Sequence, residues 1–218
     1  MIRLTSKPTD EAIERLAYCA ECAEAAINAG QAVPESIKGC YRHPIVKAAI
    51  KCETSGKCAY CEAKIAHVYW GDVEHIYPKS VFPKRALDYD NLTFSCAICN
   101  NNKGDYFNDL APILNPYEDN PGEHLVCLGP FLWNLNGSQA GRRAIDLLDL
   151  NRPGLLEKRI ECFQRLAALA DRYSTEPDGL IKDTISTQIR VEVSESAEFA
   201  FAARAFLSAV YSIQYDEI

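Results

Sequence analysis

The chain has 218 residues, 48% hydrophobic and 24% charged, which suits one sizeable domain or two small ones whose core needs no covalent staples. No apolar run approaches the roughly eighteen residues of a membrane helix, and the opening MIRLTSKPTDEAIERLAYCA lacks the basic-then-apolar order of a signal peptide. A net charge of −7 argues against a general polyanion coat, and ten cysteines without an export signal point to reduced thiols and metal sites in a cytoplasmic chain with no membrane partner.

Residues 9–29 predict a helix, with Thr9 as N-cap, acids in the first turn, Gly30 as the stop, and Ile13, Leu16, Ala17 and Ala20 at helical spacing. Cys19 and Cys22 form a CxxC on that helix, where they share a face with small residues and read as packing rather than metal ligands. Pro44 to Cys52 predicts a second, short helix. From Gly56 to Asn91 the texture changes to turns, β-branched and aromatic residues, with Pro78 and Pro83 and an alternating pattern in HVYWGDVEHIY. SCAICNNNKGD reads as a short helix after a knuckle, stopped by Gly104.

PILNPYEDNPGEHLVCLGP is turn-rich and leads into a helical C-terminal third. Helices are expected over 140–150 and 155–173, with Pro153 near the start of the second. STEPDGL then makes a loop, and Ser194–Tyr211 a last, serine-capped helix. The expected fold is α+β and mainly helical, a small ββα-like insert between helical ends. Its segments are 1–55, 56–110 and 111–218. Charge is uneven: residues 38–110 hold 10 bases against 8 acids, whereas 1–37 hold 3 against 6 and 111–218 hold 10 against 16. Only the middle segment attracts phosphate.

That segment carries the chemistry. Cys58-Ala-Tyr-Cys61 and Cys96-Ala-Ile-Cys99 offer two thiolates each, and four thiolates make a closed tetrahedral Zn²⁺ site with no open position for catalysis. Between them lie Glu74, His75 and Asn91, and directly after them Asn100 and Lys103. VEHIYPKS…YDNLTFSCAICNNNKGD resembles the HNH motif of the ββα-metal (His-Me finger) endonucleases, over Cys58 to Asp105. His75, Asn91 and Asn100 match its three positions, an H-N-N variant. The resemblance implies a zinc-stapled ββα-metal core that hydrolyses phosphodiester bonds in DNA. In it His75 is the general base, Glu74 and Asn100 hold Mg²⁺ or Mn²⁺, and Asn91 orients the His75 loop. Lys103 is placed to contact phosphate.

The residue types suit that task on their own. A neutral histidine accepts a proton from water near pH 7, and a hard cation prefers carboxylate and amide oxygens. One difficulty is that neighbours on a regular strand face opposite ways, so Glu74 and His75 call for a frayed or bulged strand. His67 and His43 read as structural, while His124 is a candidate to line the site.

GKCAYCEAKI, LNPYEDNPGEHL and AIDLLDLNRPGLLEKR extend the resemblance to nuclease subunits of Septu-type and retron-associated anti-phage systems, which work beside a separate ATPase. The chain itself has no P-loop, so the resemblance implies an ATPase partner in a hetero-oligomer. Phe199, Phe201, Phe206 and Tyr211 lie along the last helix, in an acidic stretch that suits either partner docking or an ordinary core. The competing reading is a non-catalytic zinc ribbon that binds nucleic acid or protein. A zinc deaminase is excluded because the order is E-H rather than H-x-E, and a metalloprotease because H-E-x-x-H is absent.

Overall fold

The computed structural model describes residues 1–65 and 69–214; His67 lies outside them. Helix α1, Asp10–Asn28, begins where Thr9 Oγ1 accepts the Ala12 N–H and turns Ala12, Leu16 and Cys19 inward. The short α2, Glu35–Lys38, leads through Gly39 into a single 3₁₀ turn, Cys40–Arg42. Helix α3, Pro44–Glu53, has proline in its first turn, where its missing N–H costs nothing, and buries Val46, Ala49 and Ile50.

One expectation fails here. Cys19 and Cys40 are joined in a disulfide, with Cα atoms 6.4 Å apart, while Cys22 remains a free, half-buried thiol. Cys19 faces inward from α1 and the 3₁₀ turn lies against that face, so two thiols 21 residues apart meet. Cys19 packs inward and joins no metal-ligating cluster among the described residues, as expected of this CxxC; what fails is the expectation that its thiol is reduced.

Strands β1, Asp72–His75, and β2, Leu92–Ser95, form an antiparallel hairpin with Glu74 opposite Thr93 and His75 opposite Leu92. Helix α4, Ala97–Lys103, packs on β1 and ends at Gly104, completing the ββα unit. The turn-rich stretch beyond it contains α5, Pro121–His124, and a second antiparallel hairpin that the sequence pattern did not announce, β3, Leu125–Leu128, with β4, Phe131–Asn134.

Helices α6, Gln139–Leu147, and α7, Pro153–Thr175, fall close to their expected places. The last third departs from expectation. Helix α8, Gly179–Glu192, occupies a stretch to which no element was assigned, and α9 runs Ala200–Tyr211, six residues shorter at its start than the helix expected from Ser194. Residues between them turn through Phe199, whose φ of 54° ends any continuous helix. No helix among the described residues is long and apolar enough to cross a membrane.

One large core draws on all three stretches of chain, from Met1 and Leu16 through Ile50 and Phe94 to Leu148, Phe163 and Phe199. A second cluster, including Leu166, Ile185, Ile189 and Leu207, joins α7, α8 and α9. The aromatics of the last helix belong to this packing. Phe199 is 1% exposed, Phe206 stacks on Phe163 with centroids 4.6 Å apart, and the Tyr211 hydroxyl donates to Asp171 Oδ1. They are core, because α9 lies across α7 and β3 with its apolar face inward.

Candidate active site

Cys58, Cys61, Cys96 and Cys99 bring their four sulfurs within 4.8 Å of one another, and all four are buried. Tetrahedral zinc with ~2.3 Å bonds separates its sulfurs by about 3.8 Å, and Cys61 Sγ lies 3.9 Å from Cys96 Sγ. The donor set and its spacing fit a structural Zn²⁺. Arg152, just before α7, points its guanidinium at Cys96 and Cys99 with N···S distances of 3.7 to 3.8 Å, offsetting the negative charge of four thiolates. The knuckle thereby anchors the C-terminal helices to the ββα unit.

Above this anchor a cleft of about 460 Å³ opens between β1, α4 and the Cys40–Arg42 turn, lined by Tyr41, Arg42, Lys47, Asp72, Glu74, His75, Lys79 and Asn100 among others. Gly71 enters it with φ 70°, and a Cβ there would meet the Phe94 ring at 2.1 Å. Only glycine allows β1 to start so close over Phe94.

The strand neither frays nor bulges at Glu74 and His75. They stay in register to the last residue of β1, yet both line the cleft, because α4 flanks one face and the loop after His75 wraps the strand end. Glu74 is 6% exposed and points to α4, where Oε1 is ion-paired with Lys103 Nζ at 2.6 Å. Burial raises the Glu74 carboxyl, and Lys103 opposes that shift. Lys103, expected at phosphate, is instead buried, its ammonium held by Glu74 and by the His75 carbonyl at 2.8 Å.

His75 is wedged between the Tyr41 ring, edge-on at 4.5 Å, and the Ala86 carbonyl, 3.0 Å from Nε2. That contact assigns the proton to Nε2 and leaves the Nδ1 lone pair available. Burial, reinforced by Lys79 and Lys103 and opposed by the Ala86 bond, pulls the imidazole down to about 4, so it is neutral at pH 7.

Asn91 is fully buried at the end of the intervening loop. Its Oδ1 accepts the Tyr77 N–H at 2.7 Å, and its Nδ2 donates to the carbonyls of Tyr77 and Arg85 at 3.0 and 2.9 Å. It touches the loop that supports His75, not the cleft. Asn100 donates Nδ2 to Asp72 Oδ2 at 3.0 Å, which leaves its Oδ1 for another partner.

The HNH endonuclease family model matches residues 58–106. This segment belongs to that family. The chain is also similar to two curated proteins named Septu protein PtuB. One, from Bacillus thuringiensis, is 30% identical over 72% of this chain and 66% of its own length; the other, from Bacillus mycoides (strain KBAB4), is 31% identical over 55% and 51%. The chain thus spans between half and two thirds of the relatives it matches.

Within the HNH domain, the structure draws Glu74, His75 and Asn100 into one cleft and sets Asn91 and Lys103 behind it. His124 lies elsewhere, its Nδ1 bonded to Ser138 Oγ at 2.8 Å, and His43 caps α3. Asp72 escaped the sequence reading. Its position two residues before Glu74 puts both carboxylates on one strand face, a period-2 signal that was available. Tyr41, Arg42, Lys47 and Lys79 had no such signal. Three of them precede the motif and reach it only through the fold.

Proposed function

We propose that the HNH domain hydrolyses phosphodiester bonds in DNA with a bound Mg²⁺ or Mn²⁺, and that the chain serves a bacterial anti-phage defence system. The observation that carries this reading is a neutral, buried His75 in one cleft with an oxygen-only donor set. The carboxylates of Glu74 and Asp72 and the free Oδ1 of Asn100 are hard donors suited to such a cation. When bound, the ion supplies Lewis-acid stabilisation of phosphate charge and of the departing 3′-oxygen.

The remaining work falls to side chains. His75 takes a proton from the attacking water at Nδ1, with Ala86 O holding its other nitrogen and Tyr41 fixing its ring. Lys103 holds Glu74 and the His75 backbone in relative register. Asn91 acts as a positioning residue, tying Tyr77 to Arg85 so that Ala86 stays under the imidazole. Lys47, Arg42 and Lys79 give the cleft the positive rim that a phosphodiester needs.

The core over 56–110 is the nuclease, with the helical segments 1–55 and 111–218 framing it. In this reading the chain works in the cytoplasm beside an ATPase subunit; its similarity to Septu proteins and the lack of a P-loop motif in its sequence support the reading. The test is incubation with plasmid, single-stranded DNA and RNA in Mg²⁺, Mn²⁺ or neither, with His75→Ala as control. Nucleic acid bound but never cut would leave a zinc-ribbon binding module. Co-expression with the neighbouring ATPase, followed by pull-down, tests the partner.

A further inference from the structure

Behind the catalytic cleft lies a second cavity of about 450 Å³ that the hydrolytic reaction does not use. Its walls are Ala23 and Ile27 of α1, Val33, and Pro83, Ala86 and Leu87 of the loop that carries His75. Most of its lining is apolar. Three residues, Tyr41, Arg42 and Lys79, line both this cavity and the catalytic cleft, so the two adjoin across these side chains.

The junction is basic. Arg42 Nη1 and Lys79 Nζ both donate to the Tyr41 hydroxyl, at 3.2 and 2.5 Å, and neither has a carboxylate within ion-pair distance among the described residues. Two cations on one neutral oxygen are under-neutralised. A phosphate is the ligand chemistry that would complete them. Across the cavity Lys38 adds a third cation, paired with Glu35 at 2.7 Å.

The cavity is also held open by its frame. The Cys19–Cys40 bond ties the α1 wall to the turn that presents Tyr41 and Arg42. The opposite wall is fixed where Ala86 O meets His75 Nε2. The Arg42 guanidinium folds over Gly39, where a Cβ would sit 2.6 Å from Nη2.

We infer that this cavity is a nucleotide subsite, holding the phosphate next to the scissile one on Arg42 and Lys79 and its base, unstacked, between Ile27 and Leu87. The inference rests on the phosphodiesterase reading and sharpens it. A base can sit between Ile27 and Leu87 only when it has left its stack, so the preferred substrate is single-stranded nucleic acid, or a duplex locally opened. The base does not stack on Tyr41, whose ring already carries Arg42 and Lys79 within 5.1 and 4.6 Å of its centroid.

The test uses single-stranded DNA and RNA oligonucleotides with one abasic nucleotide moved stepwise along the strand, and the matching duplexes. Two readouts are taken: cleavage rate in Mg²⁺, and affinity by fluorescence anisotropy without added divalent cation. An abasic nucleotide beside the cut should slow cleavage and weaken binding roughly 5- to 150-fold, the range for one base–protein contact. Ala23→Phe, which fills the cavity from α1, should abolish that dependence, so that intact and abasic strands are handled alike. Val33→Trp fills it from the loop if the first variant melts early.

Equal handling of abasic and intact strands at every position by the wild-type protein would overturn the inference, as would equal preference for duplex. Base-dependent affinity without any cleavage would instead overturn the hydrolytic reading and leave the subsite standing. The DNA and RNA arms decide which sugar the subsite accepts.

Discussion

Replacing Asn91 by alanine removes three hydrogen bonds from a side chain with no solvent exposure. Each bond contributes about 1 kcal/mol net, and a buried donor or acceptor left without a partner costs about 1–3 kcal/mol. Tyr77 and Arg85 are only half-buried, so water can reach part of what is exposed. The balance is a loss of about 3 kcal/mol, or on the order of 10 °C in Tm for a chain of this size. Urea unfolding monitored by circular dichroism measures it. Asn91→Asp is the sharper variant, since it keeps the acceptor for the Tyr77 N–H but turns its second oxygen toward two carbonyls at 3.0 and 2.9 Å. It should destabilise at least as much as alanine at neutral pH. Because Arg85 precedes the residue that holds His75 Nε2, turnover should fall even where Asn91→Ala remains folded, with the divalent-ion requirement unchanged. A stability loss under about 1 kcal/mol, or an aspartate variant as stable as wild type, would refute the role assigned to this amide.

His75→Ala should retain fold and zinc and lose roughly two to four orders of magnitude in cleavage rate, measured in single turnover. With His75 held down at about 4, its base form persists through pH 7, so the rate should hold steady down to about pH 5 and fall below that. The same shift affects stability: an unfolded histidine with a pKa near ~6.5 binds protons that the native one refuses, so stability is full above that value and declines as pH drops through about 4. Lys103→Met should leave Glu74 buried without its counter-charge, lowering both stability and cleavage, and Glu74→Gln added to it should restore stability but not activity. Zinc removal by chelator, or Cys99→Ser, should unfold the hairpin and α4 together, read as loss of protease resistance over 58–106; a well-folded zinc-free protein would exclude the staple. Arg152→Met should speed zinc release to a colorimetric chelator without altering the metal stoichiometry.

Local chemistry made much of this protein legible in one dimension. Thr9 and Gly30 bound α1, Pro44 opens α3, and Gly104 closes α4, because caps and breakers act on their own backbone. The two CxxC pairs and the Glu74–His75 step announced the knuckle and the cleft for the same reason: metal ligands and strand neighbours have short, recognisable spacing. The alternation on β1 also held Asp72, which went unread. The disulfide between Cys19 and Cys40, the placement of Tyr41, Arg42 and Lys47 beside His75, and the inward turn of Phe199 and Phe206 are different in kind. Each joins residues from separate elements, and nothing in either partner's neighbourhood records the other. Lys103 shows the limit most clearly: its sequence position beside the motif suggests phosphate, but the packing of α4 on β1 buries its ammonium against Glu74, where an unpaired carboxylate would cost more than a lost surface contact.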